Sequence, residues 1–326
     1  PFMRGNRTVL LSVLGISWFW FYGATFITQL PHYTQAYLGG DDRVFTLLLG
    51  VFCVGTGLGS LLCERLSGHK VEIGLVPFGS IGMTVFGIDL YFAQPHLAAA
   101  QNLGVAQFLA QLHSHRVIAD LLLIGVFAGF YIVPLYALIQ TRSEDGHRSR
   151  IIAGNNILNA VFMVASALLA VGLLKAGLEI PQLLLVTALM NAAVAAFIYS
   201  LVPEFLMRFL VWLLVSLLYR IDRKGFDNIP EEGPAILACN HVSFVDAVIL
   251  GGSVRRPVRF VMYHTIFKIP VLNFIFRTAK AIPIAPAKED EKLLQAAYDA
   301  IEKALAEGEL VCIFPEGGLT PDGSIQ

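Results

Sequence analysis

Six apolar stretches, at about residues 8–30, 44–62, 73–93, 117–139, 151–174 and 180–202, fill the first part of the chain. Each is close to the ~20 residues that an α-helix needs to cross a bilayer. Buried helices of a soluble protein are the competing reading, and six consecutive stretches of this length argue against it. Charge agrees with a membrane part followed by a water-soluble one. Residues 1–203 carry 19 Asp, Glu, Lys and Arg, whereas the shorter 204–326 carries 28. The chain as a whole is 14% charged, against roughly 25% in ordinary soluble proteins.

The loops predict an orientation. With residues 1–7 inside, Arg4, Arg7, Arg65, Lys70, Arg142, Arg148, Arg150, Arg208, Arg220, Arg223 and Lys224 share one side, and only Arg43, Arg116 and Lys175 fall on the other. Cytoplasmic loops are the ones enriched in Lys and Arg, so the polar part that follows faces the cytoplasm. Within the spans, Gly55-x-x-x-Gly59 predicts a close helix contact. Asn155 and Asn159 share a helix face. They read as interhelical hydrogen-bonding groups in preference to a polar substrate path. Asp89 and Asp120 fall near the outer ends, where water is expected to reach them.

Pro203-Glu204 breaks the last span, and an apolar run at 205–220 follows. It is short for a crossing and is trailed by Arg220, Arg223 and Lys224. That pattern predicts a helix lying on the cytoplasmic leaflet; a helix packed wholly on the soluble part is the alternative. Strands are then expected near 235–239, 258–262, 281–285 and 310–314, with helices at 244–252, 265–278 and 287–307. In the last helix Leu294, Ala297, Tyr298, Ile301 and Leu305 form one stripe, Asp299 and Lys303 are spaced to pair, and Gly308 follows as the terminating residue. The fold class is therefore multi-domain: a six-span helical bundle over 1–203, then part of an α/β domain over 204–326.

Two blocks carry chemistry. The first, Asn240-His241-Val242-Ser243-Phe244-Val245-Asp246, joins an expected strand to an expected helix with Ser243 as N-cap. His241 at such a corner, with Asp246 five residues on, has the layout of a general base held by an orienting carboxylate. Ser243-x-x-Asp246 reads equally as a capping box. The second block, Phe314-Pro315-Glu316-Gly317-Gly318, follows the strand at 310–314. A glycine-rich turn there lets backbone approach a ligand, and carboxyl ends of strands are where open α/β sheets bind ligands.

The ordered pair His-x4-Asp and Phe-Pro-Glu-Gly resembles the first and third blocks of the glycerolipid acyltransferase family, over about Phe205 to Gln326. The loop Cys63-Glu64-Arg65-Leu66-Ser67-Gly68-His69-Lys70 resembles the short charged loop of major facilitator transporters. Together the two parts resemble a bacterial fusion of the carboxyl-terminal half of a lysophospholipid transporter to a 2-acylglycerophosphoethanolamine-type acyltransferase. The resemblance implies an inner-membrane protein that moves an acyl group to a lysophospholipid hydroxyl, with no acyl-enzyme. The donor would be a thioester, on acyl carrier protein or coenzyme A, acting as co-substrate and not as a bound cofactor. His241 and Asp246 would be catalytic, and Phe314, Pro315, Glu316 and Gly317 would bind the acceptor. The family often carries an arginine where this chain has Ala285 and another where it has Leu319; Arg277, Lys280 and Lys288 are candidate substitutes. A transporter with a catalytically inactive appendage, and an acyltransferase fold used only for binding, are the alternatives. Intact His241 and Asp246 favour the enzyme.

The partners expected are lysophospholipid, acyl donor and bilayer. A net charge of −1 gives no reason to expect nucleic acid. Cys53, Cys63, Cys239 and Cys312 lack metal-ligand spacing and read as small buried thiols; no metal is expected. Starting at Pro1-Phe2-Met3 and stopping soon after the second block, the chain reads as a fragment open at both ends.

Overall fold

The structure is a computed structural model that describes residues 7–67, 74–94, 102–143, 146–201, 203–222, 224–230, 233–254 and 256–320. Arg4, His69, Lys70 and Arg223, used above for orientation and for the transporter-like loop, lie outside the described residues. The chain divides into two compact units, Pro1–Leu201 and Val202–Gln326.

The first unit is helical: α1 (Arg7–Ala36), α2 (Asp42–Ser67), α3 (Leu75–Ala93), a short α4 (Val105–Leu109), α5 (Leu112–Arg142), α6 (Arg148–Lys175) and α7 (Ile180–Leu201). All but α4 are long and apolar enough to cross a membrane. Four of them, α1, α2, α5 and α6, outrun the apolar stretches by about a turn or more, because a helix once formed continues through polar residues such as Thr34 and Gln35, whereas α3 and α7 keep within theirs. Gly55 and Gly59 of α2 face Gly125 and Gly129 of α5. A Cβ at Gly55 would stand 2.3 Å from the Leu122 carbonyl oxygen, and one at Gly59 2.1 Å from that of Val126. The two backbones therefore touch where side chains are absent.

Some polar groups in this unit are paired across helices. Ser17 Oγ and the Asn159 amide lie 2.9 Å apart, linking α1 to α6. Asn191 of α7 accepts from Trp18 Nε1 at 2.8 Å and donates to the Ser80 carbonyl at 2.9 Å, a hub the sequence reading missed. Asp120 is 3% exposed, not at a watery helix end. Arg116, one turn earlier, donates instead to Asp89 at 2.9 Å. Cys53 is exposed and Cys63 buried, so the expectation of buried thiols fails at Cys53, on the outward face of α2.

The second unit begins with α8 (Pro203–Leu218) and alternates β1 (Ala235–Ala238), α9 (Asp246–Ser253), β2 (Val258–Tyr263), α10 (Pro270–Thr278), β3 (Ile282–Ile284), α11 (Glu291–Ala306) and β4 (Leu310–Ile313). The strands form one sheet in the order β1-β4-β2-β3. Every pairing is parallel: Ala238 stands opposite Ile313, and Phe260 opposite Cys312. All carboxyl ends therefore share one edge. β4, between two partners, is buried at Leu310, Val311 and Cys312, and Leu310 and Cys312 form a core with Val254, Val258 and Phe260.

Three details differ from expectation. The helix expected over 265–278 is broken, because a residue before proline avoids helical backbone; Ile269 is extended, and a short 3-10 turn over His264–Lys268 precedes α10. In α11 the buried positions are Ala297 and Ala304, while Tyr298 is exposed. Lys303 pairs with Glu307, and Asp299 accepts from Gln295. The helix is capped by Asp290, whose carboxylate accepts from the Leu293 N–H at 2.9 Å. It ends as expected at Gly308, with φ +76°. The Glu309 N–H reaches the Ala304 carbonyl and the Gly308 N–H that of Leu305, both at 2.9 Å, which is a Schellman closure.

Candidate active site

The neighbouring strands β1 and β4 end side by side, and the chemistry-bearing blocks lie just beyond those ends. The Cys239 N–H still donates to the Ile313 carbonyl at 3.1 Å. One step further, His241 and Phe314 leave the sheet together. Their rings stack with centroids 4.3 Å apart and planes 25° apart.

His241 Nδ1 lies 3.1 Å from Asp246 Oδ2. The same oxygen accepts from the Val242 and Ser243 N–H groups, each at 2.8 Å. Three donors converge on one carboxylate oxygen, which holds the imidazole and the Val242–Ser243 turn together. Ser243 is not the N-cap. The helix starts at Asp246 with Val245 before it and no side-chain cap. The Asp246 N–H instead closes a turn onto the Ser243 carbonyl at 3.1 Å. Burial pushes the Asp246 carboxyl up, and the Ser243 and Val242 N–H groups with His241 outweigh it, holding the carboxyl below the usual range. An acceptor fixed on Nδ1 selects the tautomer with its proton there. Nε2 then carries the lone pair, and it makes no hydrogen bond with a described residue.

The second block forms a turn with Pro315 at its first corner. The Gly317 N–H returns to the Phe314 carbonyl at 3.1 Å, and Gly317 has φ +63°, a backbone that favours glycine. Glu316 Oε2 is enclosed, with no hydrogen-bond donor among the described residues. Thr320 then folds back, its N–H 2.7 Å and its Oγ1 3.2 Å from the His241 carbonyl. Sequence reasoning missed this clasp, since a threonine six residues past Phe314 carries no signal of its own.

The same edge holds a further missed cluster at the ends of β2 and β3. Glu289 accepts from Tyr263 Oη at 2.8 Å and lies 3.0 Å from His264 Nε2. The Tyr263 hydroxyl hydrogen bond pulls the Glu289 carboxyl below its ordinary value. Of the three candidate substitute cations, only Lys288 follows the carboxyl end of a strand. Lys280 precedes β3 and lies 3.3 Å from Glu204, at the sheet's other edge. Arg277 donates to Asn273 at 2.6 Å and lines, with Lys280 and Glu309, a cavity of about 520 Å³. Of the two positions where the resemblance would place arginine, Ala285 is 1% exposed and Leu319 is exposed at 37%. Among the described residues, no three His, Cys, Asp or Glu side chains could hold a metal ion.

Three mycobacterial proteins described as uncharacterized, one from Mycobacterium bovis and two from strains of Mycobacterium tuberculosis, are each 27% identical over 107 residues, 30% of this chain and 26% of theirs. The chain thus covers about a quarter of the length of the curated relatives it matches. No solved structure matches it. The family model described as Acyltransferase matches residues 220–325, and the carboxyl-terminal part of the chain carries an acyltransferase domain.

Proposed function

We propose that the chain is a membrane-bound acyltransferase that moves a fatty acyl group from a thioester, on coenzyme A or acyl carrier protein, to the hydroxyl of a lysophospholipid. The observation that carries the reading is the convergence of His241 Nδ1 on Asp246 Oδ2 at 3.1 Å, beside a family-matched Phe-Pro-Glu-Gly turn. Nε2 of His241 takes the hydroxyl proton as the acceptor oxygen attacks the thioester carbonyl. The tetrahedral intermediate collapses, the carbon–sulfur bond breaks, and the departing thiolate takes the proton back from the imidazolium. Asp246 keeps Nδ1 protonated and stabilises the charge that His241 acquires. Glu316 and the turn at Gly317 hold the acceptor's polar group.

The six long helices support a bilayer location. On this reading they are the carboxyl-terminal half of a lysophospholipid transporter of the major facilitator type, in a bacterial inner membrane, with the acyltransferase part on the cytoplasmic side. Delivery of lysophospholipid and its acylation would then be joined in one protein.

The test is acyl transfer by the purified chain in lipid nanodiscs, with radiolabelled acyl-coenzyme A or acyl carrier protein as donor and a lysophospholipid as acceptor. His241→Ala should lose about 10²–10⁴ of the rate while its melting temperature stays that of the parent. A folded His241→Ala protein with full turnover would sink the assignment.

A further inference from the structure

Helix α10 is apolar on two faces. Its inner side contributes Ile275 and Phe276 to a cavity of about 110 Å³ shared with Met207 and Val211 of α8. That face is committed to the domain. The outer side is not: Val271 is 70% exposed and Phe274, one turn on, 56%. Ile269, just ahead of the helix, is 51% exposed. Two exposed cations bracket this patch, Lys268 before it and Arg277 in the last turn.

A patch of this size at a helix surface needs a partner, and the chain itself says which. The last apolar span ends at Leu201 and α8 begins at Pro203, so α8 starts where the bilayer ends. Leu210, Leu214, Leu217 and Leu218 of α8 are likewise exposed. The cavity ties α10 to α8, and apolar side chains flanked by Lys and Arg suit acyl chains below and phosphate groups above.

We propose that α10 is a second bilayer-docking element, with Ile269, Val271 and Phe274 in the apolar boundary and Lys268 and Arg277 at the level of the lipid phosphates. Docking at α8 alone leaves the domain free to roll about one axis. A second contact fixes how the edge that carries His241 faces the leaflet. The inference rests on the reading that the six long helices lie in a bilayer, so the experiment reports on that separately.

The chain is reconstituted in nanodiscs of phosphatidylethanolamine with a minor fraction of phosphatidylglycerol. A nitroxide is attached at native Cys53, exposed on α2; at Phe274→Cys in a Cys53→Ser background; and at Tyr298→Cys of α11 in that background. Relaxation by oxygen, which concentrates in lipid, is compared with relaxation by a water-soluble nickel chelate. The oxygen-to-chelate ratio at position 274 is expected to fall below that at the mid-span Cys53 and to exceed that at 298 several-fold. A ratio at 274 equal to that at 298 overturns the proposal, and so does protection from both reagents, which packing against another protein would give. A water-exposed label at Cys53 overturns the bilayer reading instead. Val271→Cys repeats the measurement if Phe274→Cys does not fold.

Discussion

The imidazole of His241 lies on the ring of Phe314, with centroids 4.3 Å and planes 25° apart. The contact joins residues from two blocks that family resemblance assigns separate roles, base and acceptor binding. In the structure Phe314 touches the His241 imidazole itself, and together with Asp246 it limits the ring's rotation. Phe314→Ala should therefore lower kcat about ten- to hundredfold, since catalysis depends steeply on the position of the proton acceptor, and leave KM for the acceptor little changed. Phe314→Tyr should retain most activity. A rise in KM at constant kcat would return Phe314 to acceptor binding.

Asp246 makes a pH signature available. Its carboxyl is held below the usual range despite burial, because N–H groups of Ser243, Val242 and His241 bond the charged form. A group whose value is depressed by folding stabilises the fold above its unfolded value, near 3.9 for aspartate. That contribution is lost as pH falls through the folded value. The melting temperature of the parent should exceed that of Asp246→Asn at neutral pH, and the gap should close in acid, below the ordinary carboxylate range. A gap that does not change with pH would mean that the carboxylate's charge is not what holds the turn. Asp246→Asn should also lose about 10²–10⁴ of the rate, through the lost tautomer control of His241.

Arg259 of β2 is 4% exposed and pairs with Glu204 of α8 and with Glu309 at the start of β4. It also donates to the Ala279 carbonyl at 3.2 Å. Arg259→Met leaves Glu204 and Glu309 to share the exposed Lys280, at 3.3 and 4.0 Å, so the cost should fall toward the lower end of the roughly 3–5 kcal/mol typical of a broken buried pair. The loss should show as earlier melting of the carboxyl-terminal unit, followed by proteolysis on heating. Adding Glu204→Gln and Glu309→Gln to Arg259→Met should recover much of the loss, because the penalty lies in the uncompensated charges. If the triple variant is no more stable than Arg259→Met, the cluster matters through packing.

What was legible in the sequence follows from what is local. The six spans and four strands announce themselves as largely apolar runs, and His241 with Asp246 as a short spacing. Contacts that need the sheet order were not legible. Nothing in residues 204, 259 and 309 says that they meet, because β4 is last in the chain yet lies between β1 and β2. The same insertion brings Phe314 and Thr320 onto His241. Tyr298 was placed on the buried stripe of α11, and Asp299 paired with Lys303, because helical spacing fixes which residues are neighbours but not which flank the sheet covers. Asp120 looked accessible from its place along α5, and only the packing of the helices shows it enclosed.

The last prediction concerns the acceptor. A phosphomonoester such as lysophosphatidic acid carries close to two negative charges at neutral pH, since its second pKa is near 6; a lysophospholipid with a head group is a diester and carries one. The dianion needs more positive charge, and arginine forks suit phosphate best. Here one family arginine position is Ala285, 1% exposed, and the other is Leu319. Lys280 is engaged by Glu204 at the opposite sheet edge, and Arg277 faces the cavity near it. Lys288 alone of the three candidates follows a strand's carboxyl end, and its neighbour is the anionic Glu289. Lys268, past the end of β2, likewise acts on Glu289, so an edge whose described lysines are drawn to a carboxylate and that lacks an arginine fork should turn over lysophosphatidylethanolamine with a higher kcat/KM than lysophosphatidic acid at one fixed acyl donor. Lys288→Ala should weaken both acceptors, and lysophosphatidic acid more. A clear preference for lysophosphatidic acid by the parent chain would refute the argument and require a phosphate site built from other residues.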